Sequence, residues 1–468
     1  MRTLIICLGL GICCLTFVTC GKNNGGVDPV PLPEYGADAN PTGDPVGGGN
    51  GYSKIVTSGN FVVHNADELL AAFNNAQSGN TILVASGASI DLTGMSNINI
   101  PDGITLAGDR GAQGSAGPLV FATSLPLESI LFFVHSNVRI SGLRFKGPDD
   151  NYPDINYAVR PDTKVLCFAV EGVNVEIENC EVSNFARGGV EVYPGGTNVH
   201  VHHCHLHDIH AYPVVALNRS VPPILIEANK INWIWHATAG SGYPGTGYEA
   251  RYNIFVREAV PDSWQPYVGQ HAVDMHAYLQ VEQERGHQIA GDYMSIHHNT
   301  FLSNAGGDPS VSTSFDANVR GVPRILAEFY NNIFLHADPV QTVTHTGGNV
   351  WVYNNLYGPQ QTLIKIADQA TPQIIFHNPA PPDEQIPLVG GLVPININVN
   401  VLNTLTIKSV VIQLNGDTIY SGVNAPVAGA VVINTNTLDP TKPFQELTVT
   451  AIDNRGVSGK HTTVFRTE

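Results

Sequence analysis

The 468-residue chain is short of charge, of basic residues and of usable cysteine. Only 13% of it is charged, and 23 Lys and Arg stand against 40 Asp and Glu, a net charge of −17. A chain this acidic is a poor general partner for nucleic acid or for an anionic membrane surface. Overall charge cannot hold a polyanion either, so such a substrate would need a local Lys/Arg cluster or a bound cation. Of seven cysteines, Cys7, Cys13, Cys14 and Cys20 lie at the extreme N-terminus, leaving Cys167, Cys180 and Cys204 with no CxxC among them. Three thiols cannot build a disulfide framework, and dithiol or zinc-thiolate chemistry is excluded with it. The apolar run near the N-terminus is under about 18 residues, short of a comfortable membrane span. Gly (47) and Pro (31) are plentiful, which marks a turn-rich chain with few long amphipathic helices.

The stretch "MRTLIICLGLGICCLTFVTCG" carries Arg2, an apolar run, then Cys20 before Gly21. It resembles a bacterial lipoprotein signal, departing from the usual pattern at Phe17 and Thr19. The resemblance implies a signal peptide over 1–20, a lipid on Cys20, and a cell-envelope protein held to a membrane by that lipid alone. The outer membrane is the expected location, with its face left open. Residues 21–53 have no hydrophobic period and are rich in Gly, Pro, Asn and Asp, so they read as a flexible tether.

Folded sequence is expected from Lys54. A short helix starts at an N-cap, Asn65 or Asp67, and leads into the strand "TILVA". Short alternating segments then recur, each ending in Asn or Cys: "VRISGLRF", "VEIENCEV", "VHVHHCHL", "ILIEANKI", "YEARYNIF", "MSIHHNTF", "EFYNNIF" and "VWVYNNLY". Cys180, Cys204, Asn229 and Asn253 follow one another at 24, 25 and 24 residues, and Asn299, Asn332 and Asn355 at 46, 33 and 23. A period near 24 with very short strands predicts a parallel β-helix whose rungs stack about 4.8 Å apart. Cys180 above Cys204, and Asn229 above Asn253, then form interior ladders, with the cysteines reduced and structural.

The helical cap with "SGNTILVASG", the stretch "GITLAGDRG", "ISGLRF" and the Asn-ended rungs together resemble the pectate-lyase-like superfamily over residues 54–380. The resemblance implies a right-handed helix and action on a polysaccharide. Residues 381–394 are a Pro-rich linker. Residues 395–468 hold "VVIQLNGDTIYSG", an Asn-Gly hairpin, and "VTAIDNRG", and resemble a bacterial Ig-like β-sandwich. The expected fold is therefore all-β: a parallel β-helix followed by a sandwich.

The gap of 46 between Asn253 and Asn299 contains "QHAVDMHAY". It reads as one rung with insertions, because each rung has a second strand about ten residues after its Asn or Cys: "GVEVY", "PVVAL", "HATAG" and here "HAVDMH". Long loops at 255–270 and 278–292 flank it, and function gathers on such loops. Alternation sends Val273 and Met275 inward and Asp274 and His276 outward together, with His271 at the entering bend. Neighbouring rungs add His236, Glu249, Arg251, Tyr248, Arg320, Arg324, His298 and the group His207, Asp208 and His210.

Three chemistries suit these residue types. A sugar-acid lyase needs a base beside the carboxylate, His276 or His236 oriented by Asp274, and a cation or an Arg, Arg251 or Arg320, to stabilise the enolate. A glycoside hydrolase needs two carboxylates, here Asp274 and Glu249. A divalent cation such as calcium would take Asp274, His276 and a histidine of an adjacent rung as ligands. Trp264, in a polar loop, suits stacking on a sugar, with Arg320 and Tyr248 as further substrate contacts. The Asp-rich pattern of polygalacturonases and the Lys and Arg arrangement of calcium-dependent pectate lyases are missing. The expectation is a monomeric polysaccharide lyase, with a hydrolase or a non-catalytic glycan-binding surface protein as the alternatives.

Overall fold

The computed structural model describes residues 34–126, 128–149, 165–217, 224–233, 235–257, 271–278, 289–302, 316–335, 342–345, 347–358, 364–365, 369–379, 391–439, 441–442 and 444–465. Three long sheets run side by side between residues 61 and 370. Sheet 1 has twelve strands, sheet 2 eleven and sheet 3 nine, and within each sheet the neighbours are strands of successive rungs. Pairing is parallel except for Gln369–Ala370 and Ile364–Lys365, which fold back on the last rung. This is a parallel β-helix. One full rung runs Val173–Glu178 in sheet 1, Glu181–Ser183 in sheet 2 and Gly188–Val192 in sheet 3. The N-terminal end is closed by the helix Ala66–Asn75, whose N-cap is Asn65, accepting from the Glu68 amide. Leu69, Ala72 and Phe73 cover the first rungs.

The corner between sheets 1 and 2 follows one rule. Asn179, His203, Ala228, Tyr252, His298, Asn331 and Asn354 all take left-handed φ of 48–57°. Each immediately precedes a buried ladder residue: Cys180, Cys204, Asn229, Asn253, Asn299, Asn332 or Asn355. That backbone turns the chain sharply and leaves the next amide pointing along the helix axis. The ladder side chains satisfy it. The Asn253 Oδ1 accepts from the Asn229 amide (2.9 Å) and Nδ2 (3.0 Å), while Asn253 Nδ2 donates to the Ile226 carbonyl (2.9 Å). The same pattern repeats through Asn299, Asn332 and Asn355. Buried amides are tolerated because no donor is left unpaired. Beside the ladder, Phe255, Phe301, Phe334 and Tyr357 stack with centroids 4.8, 4.6 and 5.5 Å apart.

Two boundaries differ from expectation. Residues 34–53, read as a flexible tether, instead lie along this corner as a strap. The Gly36 amide donates to Asn331 O, Gly47 N to Ala228 O, and Tyr52 OH to Glu178. The corner carbonyls and side chains give a low-hydrophobicity segment enough hydrogen bonds to order it. Gly48 must be glycine, because a Cβ there would meet the His203 carbonyl at 2.2 Å. At the other end, Gln373–Asn378 pairs antiparallel with Asn396–Asn400, so it leaves the β-helix before residue 380. Ile374 and Phe376 join a separate core with Ile395, Ile397, Val410, Ile412, Leu447 and Val449. That body is antiparallel throughout, with the expected hairpin at Asn415-Gly416. Leu392–Pro394, assigned to the linker, is one of its strands.

The ladder predicts an ordering of stabilities. Asn299→Ala strands the Asn253 donors and the Ala250 carbonyl, at about 1–3 kcal/mol for each buried group. Cys204→Ala removes one small buried side chain and should cost about 1 kcal/mol. Denaturant unfolding should rank Asn299→Ala well below Cys204→Ala; equal losses would remove the ladder from the account.

Candidate active site on sheet 3

The 46-residue gap between Asn253 and Asn299 is one rung with insertions, as expected, because Gly247–Arg251 pairs directly with Tyr293–His297. Val273–Met275 lies in sheet 3 between Thr238–Gly240 and Ala317–Val319, with Asp274 in register with Ala239 and Asn318.

Val273 and Met275 point into the core, as alternation requires. Asp274 is on the opposite side of the strand, but it is fully buried rather than exposed. Three side chains roof it over. Arg320 donates Nε to Oδ1 (3.0 Å) and sets its terminal nitrogen 2.8 Å from Oδ2. His276 Nε2 lies 2.9 Å from Oδ2, off the line of an ideal hydrogen bond. His236 Nε2 is 3.8 Å away. Burial would raise the Asp274 pKa, but close contact with His276 and the neighbouring His236 and Arg320 bring it down to about 2. The carboxylate is therefore ionised at any ordinary pH.

His236 and His276 play different parts. His236 is completely buried between the rings of Tyr212 and His271, at 5.7 Å from each. Its Nδ1 donates to the His271 carbonyl (3.0 Å), which leaves the Nε2 lone pair facing Arg320 at 3.4 Å. Burial lowers its pKa to about 3, so the ring is neutral. His276 keeps a third of its side chain exposed, as does Arg320. These two are the groups a bound molecule could reach. Among the described residues no hydrogen bond or ion pair engages the second terminal nitrogen of Arg320, so that nitrogen's donors remain for a ligand.

Several expected members lie elsewhere. His271 is buried at the entering bend, where its Nε2 meets Asn318 (3.1 Å), so it supports His236 and does not face outward. Tyr248 is buried on the inward side and donates its hydroxyl to the Asp274 carbonyl (2.9 Å), which removes it from any substrate surface. Glu249 and Arg251 belong to sheet 1, because the rung turns a corner between them and Asp274. There Arg251 joins Glu227 (2.7 Å) and Glu249 (2.8 Å), and His297 meets Glu249 (3.1 Å). His207 and Asp208 stand on or beside sheet 2. Arg324 is paired with Asp292 (2.6 and 2.9 Å), and His298 is a corner residue. Cys20, Trp264 and most of the two flanking loops lie outside the described residues. One ligand-type atom from each of His236, Asp274 and His276 lies within 4.8 Å of the others, a grouping that could hold a metal ion, and the Arg320 terminal nitrogen stands 2.8 Å from the same Asp274 Oδ2.

The outward face of sheet 1 was missed. Register aligns Glu178, His202, Glu227, Arg251, His297, Tyr330 and Tyr353 in one column. His297, Tyr330 and Tyr353 stack with centroids 4.7 and 5.2 Å apart. Combining strand alternation with the rung spacing would have found it.

No protein-family model matches the sequence, and no curated protein matches it. Among solved structures the chain is similar to an alginate lyase from Paenibacillus sp. str. FPU-7. The identity is 12%, over 64% of this chain and 96% of that one, with a TM-score of 0.40. So distant a likeness carries no argument about activity.

Buried histidines set a pH limit. Burial holds His203, His205, His210, His298 and His461 at about 4 and His236 at about 3, against 6.5 when unfolded. Between those values the unfolded chain binds more protons, so stability falls as pH drops from 6.5 towards 4. Asp274 adds a loss only between 3.8 and 2. Thermal melts should fall steeply by pH 5, before carboxylates protonate; a midpoint flat from pH 7 to 4.5 would contradict the buried neutral histidines.

Proposed function

We propose that this is a lipid-anchored cell-envelope protein that acts on a uronic-acid polysaccharide as a lyase. The observation that carries the reading is the half-exposed pair His276 and Arg320 held on one buried, permanently ionised Asp274. Asp274 orients His276 so that its other ring nitrogen can act as a base, the role of the carboxylate in His-Asp pairs. His276 takes the proton on the carbon beside the sugar carboxylate. The free donors of Arg320 neutralise that carboxylate as its enolate forms. The glycosidic C–O bond then breaks as the C=C bond forms, and the leaving oxygen takes a proton.

A glycoside hydrolase is less well supported, because Glu249, the carboxylate that would partner Asp274, is on sheet 1. The non-catalytic alternative finds its support in the stacked His297, Tyr330 and Tyr353 row, a surface of the kind that binds sugar rings. The antiparallel C-terminal body, with its sequence resemblance to Ig-like modules, serves in either case as an accessory or spacer. A monomer needing no nucleic acid completes the reading.

The lyase leaves an unsaturated product that absorbs in the near ultraviolet. His276→Ala should lower kcat about 10²–10⁴-fold with little change in thermal midpoint. Asp274→Ala is a poorer test, because it leaves the Arg320 guanidinium without its buried partner and should destabilise the fold. If binding to uronate polysaccharides occurs with no absorbing product from any of them, the binding-protein reading replaces the lyase.

The anchor has its own test. Cys20→Ser should move the protein from the membrane fraction to the soluble one. Retention in the membrane fraction would sink the lipid assignment.

A further inference from the structure

Sheet 2 carries a second constellation that the proposed reaction does not use. His205 and His207 are alternate residues of the strand His205–His207, both on its outward side, with Leu206 in the core. Glu181 of the preceding rung is in register with His205. One ligand-type atom from each of Glu181, His205 and His207 lies within 4.8 Å of the others. The His205 and His207 rings lie with centroids 4.3 Å apart at a tilt of 31°.

Two details go beyond mere proximity. His207 Nδ1 donates its hydrogen to the Asp208 carboxylate (2.6 Å), which turns Nε2 towards Glu181, 3.7 Å away. A carboxylate behind a histidine, fixing its tautomer and orientation, is the usual support of a metal ligand. Secondly, His205 Nε2 is buried without a hydrogen-bond partner among the described residues. So is the side-chain oxygen of Asn232, the residue in the next rung that is in line with His207. Two orphaned buried polar atoms on one face each carry a desolvation cost of about 1–3 kcal/mol that a shared partner would remove.

We propose that Glu181, His205 and His207 bind a divalent transition-metal ion of the zinc class, with Asn232 as a further oxygen donor and Asp208 as the positioning residue behind His207. Two imidazoles and one carboxylate form a donor set suited to zinc rather than to calcium, which prefers oxygen alone. Three cations lie near the column. Arg144, in register before Glu181, is turned to the Gly117 carbonyl (2.9 Å), Lys230 follows His205, and Arg110 is held by the Gly47 and Asn179 carbonyls. Lys230 and Arg110 both act on His205 through their charge, and among the described residues no hydrogen bond or ion pair joins any of the three to Glu181, His205 or His207. Bound metal would tie three successive rungs of sheet 2 together.

The test uses the full chain, stripped of metal with a chelator. Zn²⁺ is titrated by calorimetry, and Co²⁺ serves as a visible-absorption probe of the same site. Glu181→Gln, His205→Ala and His207→Ala should each weaken binding at least about 100-fold and abolish the Co²⁺ band. Asp208→Asn should weaken it about 10–100-fold. His276→Ala and His200→Ala, which alter the two other His and carboxylate groupings, should leave this site unchanged, and Ca²⁺ should not compete. Glu181→Gln preserves shape, so a Zn²⁺-dependent rise in thermal midpoint that is present in the parent and lost in this variant separates binding from folding. Absence of Zn²⁺ binding by the folded parent, or binding that survives His205→Ala and His207→Ala, overturns the proposal. Binding lost with His276→Ala instead would move the metal to sheet 3 and overturn it equally.

Discussion

Everything in the β-helix hangs on the corner between sheets 1 and 2. A non-glycine residue in the left-handed region is uphill by about 1–2 kcal/mol, yet seven successive corners use one, among them Ala228 and Tyr252. At the five corners from His203 to Asn331 the strain persists because the following amide is captured by the ladder Asn of the next rung. Backbone geometry and buried amide are mutually dependent. A ladder Asn without the turn would have no amide to accept, and the turn without the ladder would bury an unpaired donor. Stacking the corners in this way holds the rungs in register, and register in turn places every outward side chain.

Once register is set, the chemistry divides by face. Sheet 1 lines up carboxylates, histidines, Arg251 and stacked tyrosines. Sheet 2 brings His205 and His207 over Glu181. Sheet 3 puts Asp274 between Ala239 and Asn318, where small neighbours leave room for Arg320, His276 and His236 to close over it. The strap 34–53 follows the corner between sheets 1 and 2 and so covers the ladder turns.

The Asp274 site shows how a buried charge is tolerated. The carboxylate is completely withdrawn from solvent, and it remains ionised because His276, His236 and the Arg320 guanidinium all stand against it. His236 contributes an uncharged ring whose tautomer is decided by the His271 carbonyl. The result is a buried anion with a partly exposed cation and a partly exposed imidazole at its edge, the pair on which the proposed lyase reading rests.

From the sequence alone, the period of about 24, the Asn and Cys ladder, the single long rung between Asn253 and Asn299, and the inward parity of Val273 and Met275 were all legible. They are local or periodic properties, and alternation along a strand needs no tertiary information. The order in 34–53 was not legible, because its hydrogen-bond partners at Ala228, Glu178 and Asn331 are remote in sequence. Nor was the separation of Glu249 and Arg251 from Asp274, since residues of one rung lie on different faces once the chain has turned a corner. Alternation also stated which side of the strand Asp274 occupies but not its burial. That depended on Arg320, 46 residues further on, reaching back across a rung to cover it. Periodicity determined the scaffold; only the closed helix decided which polar side chains meet, because those meetings are made between rungs and not along the chain.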